Sequence, residues 1–341
     1  MSDAPRVYGT GACSPIGLTA PTSFAALNAG IRRFVELEGV LDAAGQPARG
    51  SRLTGLELED PLMRATWFAR RAIREALRPV EQPLGTSIPL IVAAPALGSP
   101  AAAESLMSTL AEAAPAHVSL GWGPASIVMQ GRAGGVKALG SAIVALRSSA
   151  LVLVGGLDSL VAGAALDRLV SANRLLGTHN CDGRLPGEGA AFVLLGRHRA
   201  LGLAPERGII VATTHALDPT PFTSQAPSQA RGLTQVFATL RSAWPARVDQ
   251  LVSAQSNERH WANELSVAYL RNVELMPEPM RVRELSAILG DCGAAAFPLG
   301  LALALDDLSP RRWRRSDVSS TLVFSSSDSG LVGGAVVRRP C

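Results

Sequence analysis

Two glycine-flanked turns carry the side chains with the clearest chemical potential. Gly290-Asp291-Cys292-Gly293 runs into Ala294-Ala-Ala296, which places a thiol in the first turn of a small-residue helix. A thiolate in that position can attack an acyl carbon, because the helix N-terminus lowers a thiol's pKa. Cys292 is therefore a candidate residual nucleophile, although no histidine stands near it in sequence and small buried thiols are common. His260, with Glu258 and Glu264 nearby, is a candidate acid–base group or an ordinary surface residue. The second turn, Gly131-Arg132-Ala-Gly-Gly135, carries a cation. An arginine cannot attack an acyl group.

Metal and cofactor signals are weak. His179 and Cys181 flank Asn180, and two ligands make no metal site. Gly9-Thr-Gly-Ala-Cys-Ser-Pro-Ile-Gly17 superficially matches a dinucleotide fingerprint but lacks its final glycine spacing. No metal and no cofactor are expected.

Both turns follow strand-like runs and open helices rich in small residues. Ser126-Ile-Val-Met-Gln130 leads into the Arg132 turn, and Ala150 to Asp158 follows as an apolar strand. Helices are expected over Pro61 to Leu77 and Gln229 to Trp244, with strands at Ile88 to Ala94, Gln250 to Ala254 and Thr321 to Ser325. All-round apolar helices imply burial between sheets. Repetition of the strand–turn–helix unit implies a layered α/β/α/β/α architecture of two duplicated halves, 1–200 and 201–341.

The chain has 341 residues, is 47% hydrophobic and only 4% aromatic, a composition that supports a large core and argues against disorder. No secretory h-region follows the first residues, and the run from Ala138 to Gly156 is broken by Arg147. Widely spaced cysteines suggest reduced thiols, and a cytoplasmic location is expected. The net charge of +4 rests on arginine, Lys137 being the sole lysine. Arg311, Arg312, Trp313, Arg314 and Arg315 form the densest basic run. It reads as a solvated loop or a patch for an acidic protein partner. No nucleic-acid motif accompanies it, and neither nucleic acid nor membrane is expected as partner.

Several segments, in order, resemble the β-ketoacyl synthases of the thiolase superfamily. Gly9 to Gly17 is similar to the family's G-x-G-x-x-S-P-x-G, and Leu153-Val-Gly-Gly-Leu-Asp-Ser159 to L-x-G-G-x-D/E-x. Asp182-Gly-Arg-Leu-Pro-Gly-Glu-Gly-Ala190 matches D-G-x-x-x-G-E-G-A, the most specific of these signals. The resemblance implies a thiolase-like five-layered α/β/α/β/α fold over nearly the whole chain. It also implies a Cys-His-His centre, and at all three positions this chain departs: Arg132 stands for the cysteine, Gln255 and Asp291 for the histidines. Glu188 and Asp158 fall at positions that serve the fold. The closing N-S-F-G-F-G-G loop becomes Ser325-Ser-Ser-Asp-Ser-Gly-Leu331.

If the two turns face each other as in the family, Arg132 either forms a buried ion pair with Asp291 across the former active site, since an isolated buried guanidinium is prohibitively desolvated, or snorkels into a water-filled pocket there. The expected function is that of a catalytically inactive ketosynthase-like protein working through protein contacts as an adaptor, co-chaperone or subunit partner, for instance of a type VI secretion effector. The alternatives are a chain-length-factor-like partner of an active ketosynthase, whose cysteine-less elbow reads like Gly131-Arg-Ala-Gly-Gly-Val-Lys-Ala-Leu139, and a divergent acyltransferase using Cys292. The resemblance implies a homodimer, or a heterodimer with another thiolase-fold protein, formed near Ser126 to Gln130. An acyl carrier protein is a further candidate partner.

Overall fold

Strand residues alternate between two different cores. Along Leu151–Ser159, Leu151, Leu153 and Leu157 join one cluster while Val152 and Val154 join another. Leu322 and Phe324 point away from Val323 in the same manner. Side chains of period two, apolar on both faces, require helices on both sides of the sheet.

The computed structural model describes residues 4–197, 203, 206–224, 226–309 and 317–340; the expected boundary at residue 200 lies outside them. In chain order the first half contains β1 (Arg6–Cys13), α1 (Ala20–Asn28), β2 (Phe34–Leu41), β3 (Pro47–Ser51), α2 (Pro61–Ala76), β4 (Ile88–Ala93), α3 (Pro100–Ala111), β5 (Leu120–Gly121), β6 (Ile127–Val128), α4 (Gly134–Ala145), β7 (Leu151–Ser159), α5 (Gly163–Ser171) and β8 (Glu188–Gly196). The second contains β9 (Gly208–Leu217), α6 (Arg231–Ala243), β10 (Gln250–Ser253), α7 (Arg259–Leu270), β11 (Val282–Glu284), α8 (Ser286–Leu289), α9 (Ala296–Leu308), β12 (Ser320–Ser326) and β13 (Leu331–Arg338).

The two halves share one topology. In the first, β4 runs parallel to β7, β7 antiparallel to β8, and β8 antiparallel to β1. In the second, β10 runs parallel to β12, β12 antiparallel to β13, and β13 antiparallel to β9. A short ladder, Arg6↔Ile209 and Val7↔Gly208, joins β1 to β9 and makes the sheets continuous. That join was not readable from two separate strand-helix patterns.

Helices α4 and α9 lie in the central layer, where Val136, Leu139, Leu299 and Leu301 share one buried cluster with inward residues of both half-sheets. α2 and α3 cover the outer face of the first half, and α6 and α7 that of the second. Close packing at the centre needs absent side chains. A Cβ on Gly135 of α4 would come within 2.6 Å of Pro298 Cδ on α9, so only glycine admits this crossing. The two central helices thereby bring their N-terminal turns, with Arg132 and Asp291, to one place.

Candidate functional site: a buried charge network

Arg132 lies in the 3-10 turn Gly131–Ala133 that leads into α4, and Asp291 stands just before Cys292, which caps the corresponding turn Gly293–Ala295 into α9. Arg132 Nη1 donates to Asp291 Oδ2 at 2.7 Å, with the arginine 3% and the aspartate 1% exposed. The guanidinium is also bonded on its other edges: Nε donates to the Ser326 carbonyl at 2.9 Å, and Nη2 to Asp328 Oδ1 at 2.6 Å. Its face lies over the Trp261 ring, 4.7 Å from the centroid.

The network is larger than the pair. Arg184 Nη1 reaches Asp291 Oδ2 at 3.1 Å, its Nη2 is 2.7 Å from both oxygens of Asp328, and its Nε donates to Glu258 Oε2 at 2.6 Å. Arg174 donates to Glu258 through Nε and Nη2, each at 2.8 Å, and to Asp328 through Nη1 at 2.7 Å. Ser256 Oγ and Trp261 Nε1 add bonds to Glu258. Three guanidiniums thus meet three carboxylates, and the formal charges cancel. Arg174 also stacks on Phe222, 3.9 Å from its ring centroid, and Phe222 stacks on Trp261.

The electrostatics follow from this pairing. Burial opposes ionisation of Asp291, but Arg132 and Arg184 outweigh it and hold the carboxyl below its usual range. Asp328 is driven down in the same way, burial being overcome by Arg132, Arg184 and Arg174, and Glu258 by Arg184 and Arg174. Arg184 is pushed up, since Asp291, Asp328 and Glu258 outweigh its desolvation. The three carboxylates stay ionised.

Gln255, just after β10, lies in an adjoining polar cluster. Its Nε2 donates to Glu264 Oε2 at 2.7 Å and to Ser326 Oγ at 2.9 Å, and Ser326 Oγ donates to Glu264 Oε2 at 2.5 Å. Ser326, through its carbonyl to Arg132 and its hydroxyl to this cluster, ties Gln255 to the network. Burial raises the Glu264 carboxyl to about 7. An amide at Gln255 can donate a hydrogen bond but cannot accept the proton that an imidazole would take.

Cys292 is 2% exposed. Its thiol is oriented towards the carbonyls of Glu188 and Leu289, each 3.6 Å away. Burial first, and then Asp291, Glu188 and Asp158, raise its pKa well above the ordinary value. The expected lowering by the helix start is overridden, because local carboxylates and desolvation exceed a dipole of about half a charge. His260 packs edge-on against Phe222 and Trp261, ring centroids 5.0 and 4.6 Å apart, and burial lowers its pKa.

The motif carboxylates hold the architecture. Glu188 makes a two-pronged pair with Arg64, at 2.8 and 2.7 Å, with both side chains fully buried. Asp158 accepts from the Ala294 amide at 2.8 Å and so fixes the turn into α9. Cys181 is exposed, and among the described residues no cluster of three or more His, Cys, Asp or Glu could hold a metal. The basic run Arg311 to Arg315, with Trp313, lies outside the described residues. None of the described helices is long and apolar enough to cross a membrane.

The sequence pointed to Arg132, Gln255 and Asp291 but missed Arg174, Arg184 and Asp328, and took Glu258 only as a neighbour of His260. Arg184 lies inside the D-G-x-x-x-G-E-G-A segment and Asp328 inside the altered closing loop. Charge matching across those segments was the signal available.

The duplicated topology and the buried central helices define a thiolase-like fold of the β-ketoacyl synthase type. Neither a family model nor a curated protein sequence matches the chain. Among solved structures it is similar to a chain of AntDE:AntF, a type II PKS acyl-carrier protein in complex with its ketosynthase, at 15% identity over 100% of both chains, TM-score 0.77. It is also similar to a β-ketoacyl synthase from Burkholderia phymatum STM815, at 16% identity over 99% of this chain and 100% of that one, TM-score 0.76. The ishigamide ketosynthase/chain length factor aligns at 17% identity over 99% and 100%, TM-score 0.67.

Proposed function

We propose that this chain is a non-catalytic member of the ketosynthase-like fold that works as a subunit beside a second thiolase-fold protein. The observation that carries this reading is the charge network. Where the resemblance puts a thiol and two imidazoles, the chain has Arg132, Gln255 and Asp291, bonded into groups that satisfy one another. A cation with its donors engaged supplies no nucleophile, and ionised carboxylates beside it supply no thiol-activating imidazole. Use of Cys292 is opposed by its burial and raised pKa.

A role through contacts is supported by the sheet edge. β6 pairs with β4 on its inner side, and Trp122 and Met129 beside it are 42% and 44% exposed. They border a groove of about 890 Å³ that Leu97, Met107 and Ile127 also line. An open edge flanked by exposed apolar side chains favours pairing with another chain. One structural neighbour is itself a ketosynthase/chain length factor, which makes a thiolase-fold partner the favoured occupant.

The test is acyl loading. The purified chain, incubated with acyl and malonyl N-acetylcysteamine thioesters beside an intact ketosynthase as control, is expected to gain no acyl mass and release no carbon dioxide. An acyl adduct on any cysteine, or turnover above the reagent blank, would sink the proposal.

A further inference from the structure

No lysine or arginine occurs between Arg78 and Arg132, in a chain that carries 32 basic residues and a net charge of +4. Glu81, Glu104 and Glu112 stand in that stretch with no opposite charge among them. The stretch folds into β4, α3, β5 and β6, the elements around the groove at the sheet edge. Leu97, Met107, Trp122, Ile127 and Met129 give the groove its apolar lining, and Glu104 borders it. A second hollow of about 420 Å³ adjoins the groove, shares Ser108 and Trp122 with it, and is bordered by Glu112. No cationic lysine or arginine lines either one.

Along α3, Glu104, Ser108 and Glu112 recur every four residues and fall on one stripe. The two carboxylates are about 12 Å apart along the helix at 1.5 Å per residue. Both glutamates are exposed, and neither forms an ion pair among the described residues. The helix dipole does not explain them. α3 has no acidic residue in its first turn, where an anion is favoured, and Glu112 stands at its C-cap, where an anion is disfavoured. Arg74 donates to the neighbouring Ala113 carbonyl at 3.2 Å without pairing with Glu112. His117, the remaining titratable side chain of the two hollows, donates through Nε2 to the Val80 carbonyl at 2.7 Å. Two carboxylates thus flank an apolar groove and are left unpaired by the fold.

Resting on the subunit reading above, we infer that this groove selects its occupant by charge: it takes a segment of a protein other than this chain, which sets apolar side chains against Trp122 and Met129 and lysines or arginines over Glu104 and Glu112. An apolar floor bordered by free carboxylates fits an amphipathic segment edged with cations. The exposed Trp122 ring offers a further face to a guanidinium or ammonium group. A second copy of this chain is disfavoured. In a two-fold contact the same patch meets itself, so the stretch from 79 to 131 would bring carboxylates to carboxylates with no cation of its own to offset them.

The test uses the full chain and a defined probe: a fluorescein-labelled peptide of about 18 residues, long enough to hold a helix, with leucines on one face and lysines bordering it. The chain as a whole is cationic, so saturable binding of this peptide reports a local site rather than general attraction. Fluorescence anisotropy at about 0.15 M salt is expected to show such binding. E104Q/E112Q, at exposed positions and checked for an unchanged circular dichroism spectrum, should weaken it at least fivefold, and so should W122A. A control of equal charge change on β2, E36Q/E38Q, should alter it less than twofold. A peptide with glutamine in place of each lysine should bind the wild-type chain at least fivefold more weakly. No binding of the lysine peptide, equal binding of the glutamine peptide, or equal loss in E104Q/E112Q and the control overturns the inference. Sedimentation velocity of the chain alone supplies the remaining arm: a homodimer that W122A dissociates overturns the charge selection while leaving the subunit reading in place. An acyl adduct in the loading test, by contrast, ends the subunit reading without touching the peptide result.

Discussion

Arg184 faces Asp328 with one terminal nitrogen 2.7 Å from each carboxylate oxygen, although the residues are 144 positions apart. The contact joins the most specific sequence motif of the first half to the altered closing loop of the second. It makes the two halves electrostatically dependent on each other at the centre of the molecule.

Removing one cation from this network leaves buried negative charge without compensation. Arg132→Met is expected to lower unfolding stability by about 3–5 kcal/mol, read from urea denaturation. Pairing it with Asp291→Asn should recover part of the loss, because the two changes together remove one charge of each sign. Additive losses in the double variant would show that Arg132 and Asp291 are not coupled.

Thiol accessibility tests whether Cys292 can act as a nucleophile. With iodoacetamide at pH 7.5, peptide mapping should find Cys181 alkylated while Cys13 and Cys292 react only after denaturation, since both are buried with raised pKa values. Rapid labelling of Cys292 in the folded chain would restore it as a catalytic candidate.

The pH dependence of stability has two limbs of opposite sign. Burial raises Asp158 and Glu264 to about 7, so the folded state binds their protons more tightly than the unfolded chain. Their contribution is complete below the ordinary carboxylate range and is lost as pH rises from about 4 through about 7. Asp291, Asp328 and Glu258 are lowered, so their contribution is present above the ordinary range and is lost as pH falls below it. Urea midpoints measured from pH 3 to 9 should therefore peak in mildly acid solution. Asp158→Asn and Glu264→Gln should each flatten the decline between pH 5 and 8, and an unchanged slope in both would contradict the assignment.

Gly293 holds the turn into α9 at φ +51°, and a Cβ there would lie 2.0 Å from Asp158 Oδ2. Gly293→Ala adds backbone strain to a steric clash, for a loss of about 3 kcal/mol or more. The measurement is thermal unfolding by circular dichroism. A shift of less than 2 °C would refute the packing described at this turn.

The local patterns of the chain carried the helix at Pro61–Ala76 and the strands at Ile88–Ala93, Leu151–Ser159 and Gln250–Ser253 to within one or two residues, because burial on both sides leaves continuous apolar runs. The β2–β3 hairpin escaped notice. Its burial alternates poorly, and its turn lacks the short Asn-Gly signature that betrays a hairpin. The central pair was legible because Arg132 and Asp291 open matching helices. The rest of the network was not, since Arg174, Arg184, Glu258 and Asp328 sit in connections without periodicity, and only the closure of one half on the other makes them neighbours.

The balance of three cations and three anions acts as a ratchet on further change. A single step from Arg132 to cysteine would leave two guanidiniums facing three carboxylates, and the new thiol would stand beside uncompensated negative charge that suppresses its ionisation. Thiol chemistry at this position therefore requires several substitutions at once, each harmful alone. The interlocked centre resists piecemeal change, and anyone engineering thiol chemistry into it would have to replace the whole cluster in one move.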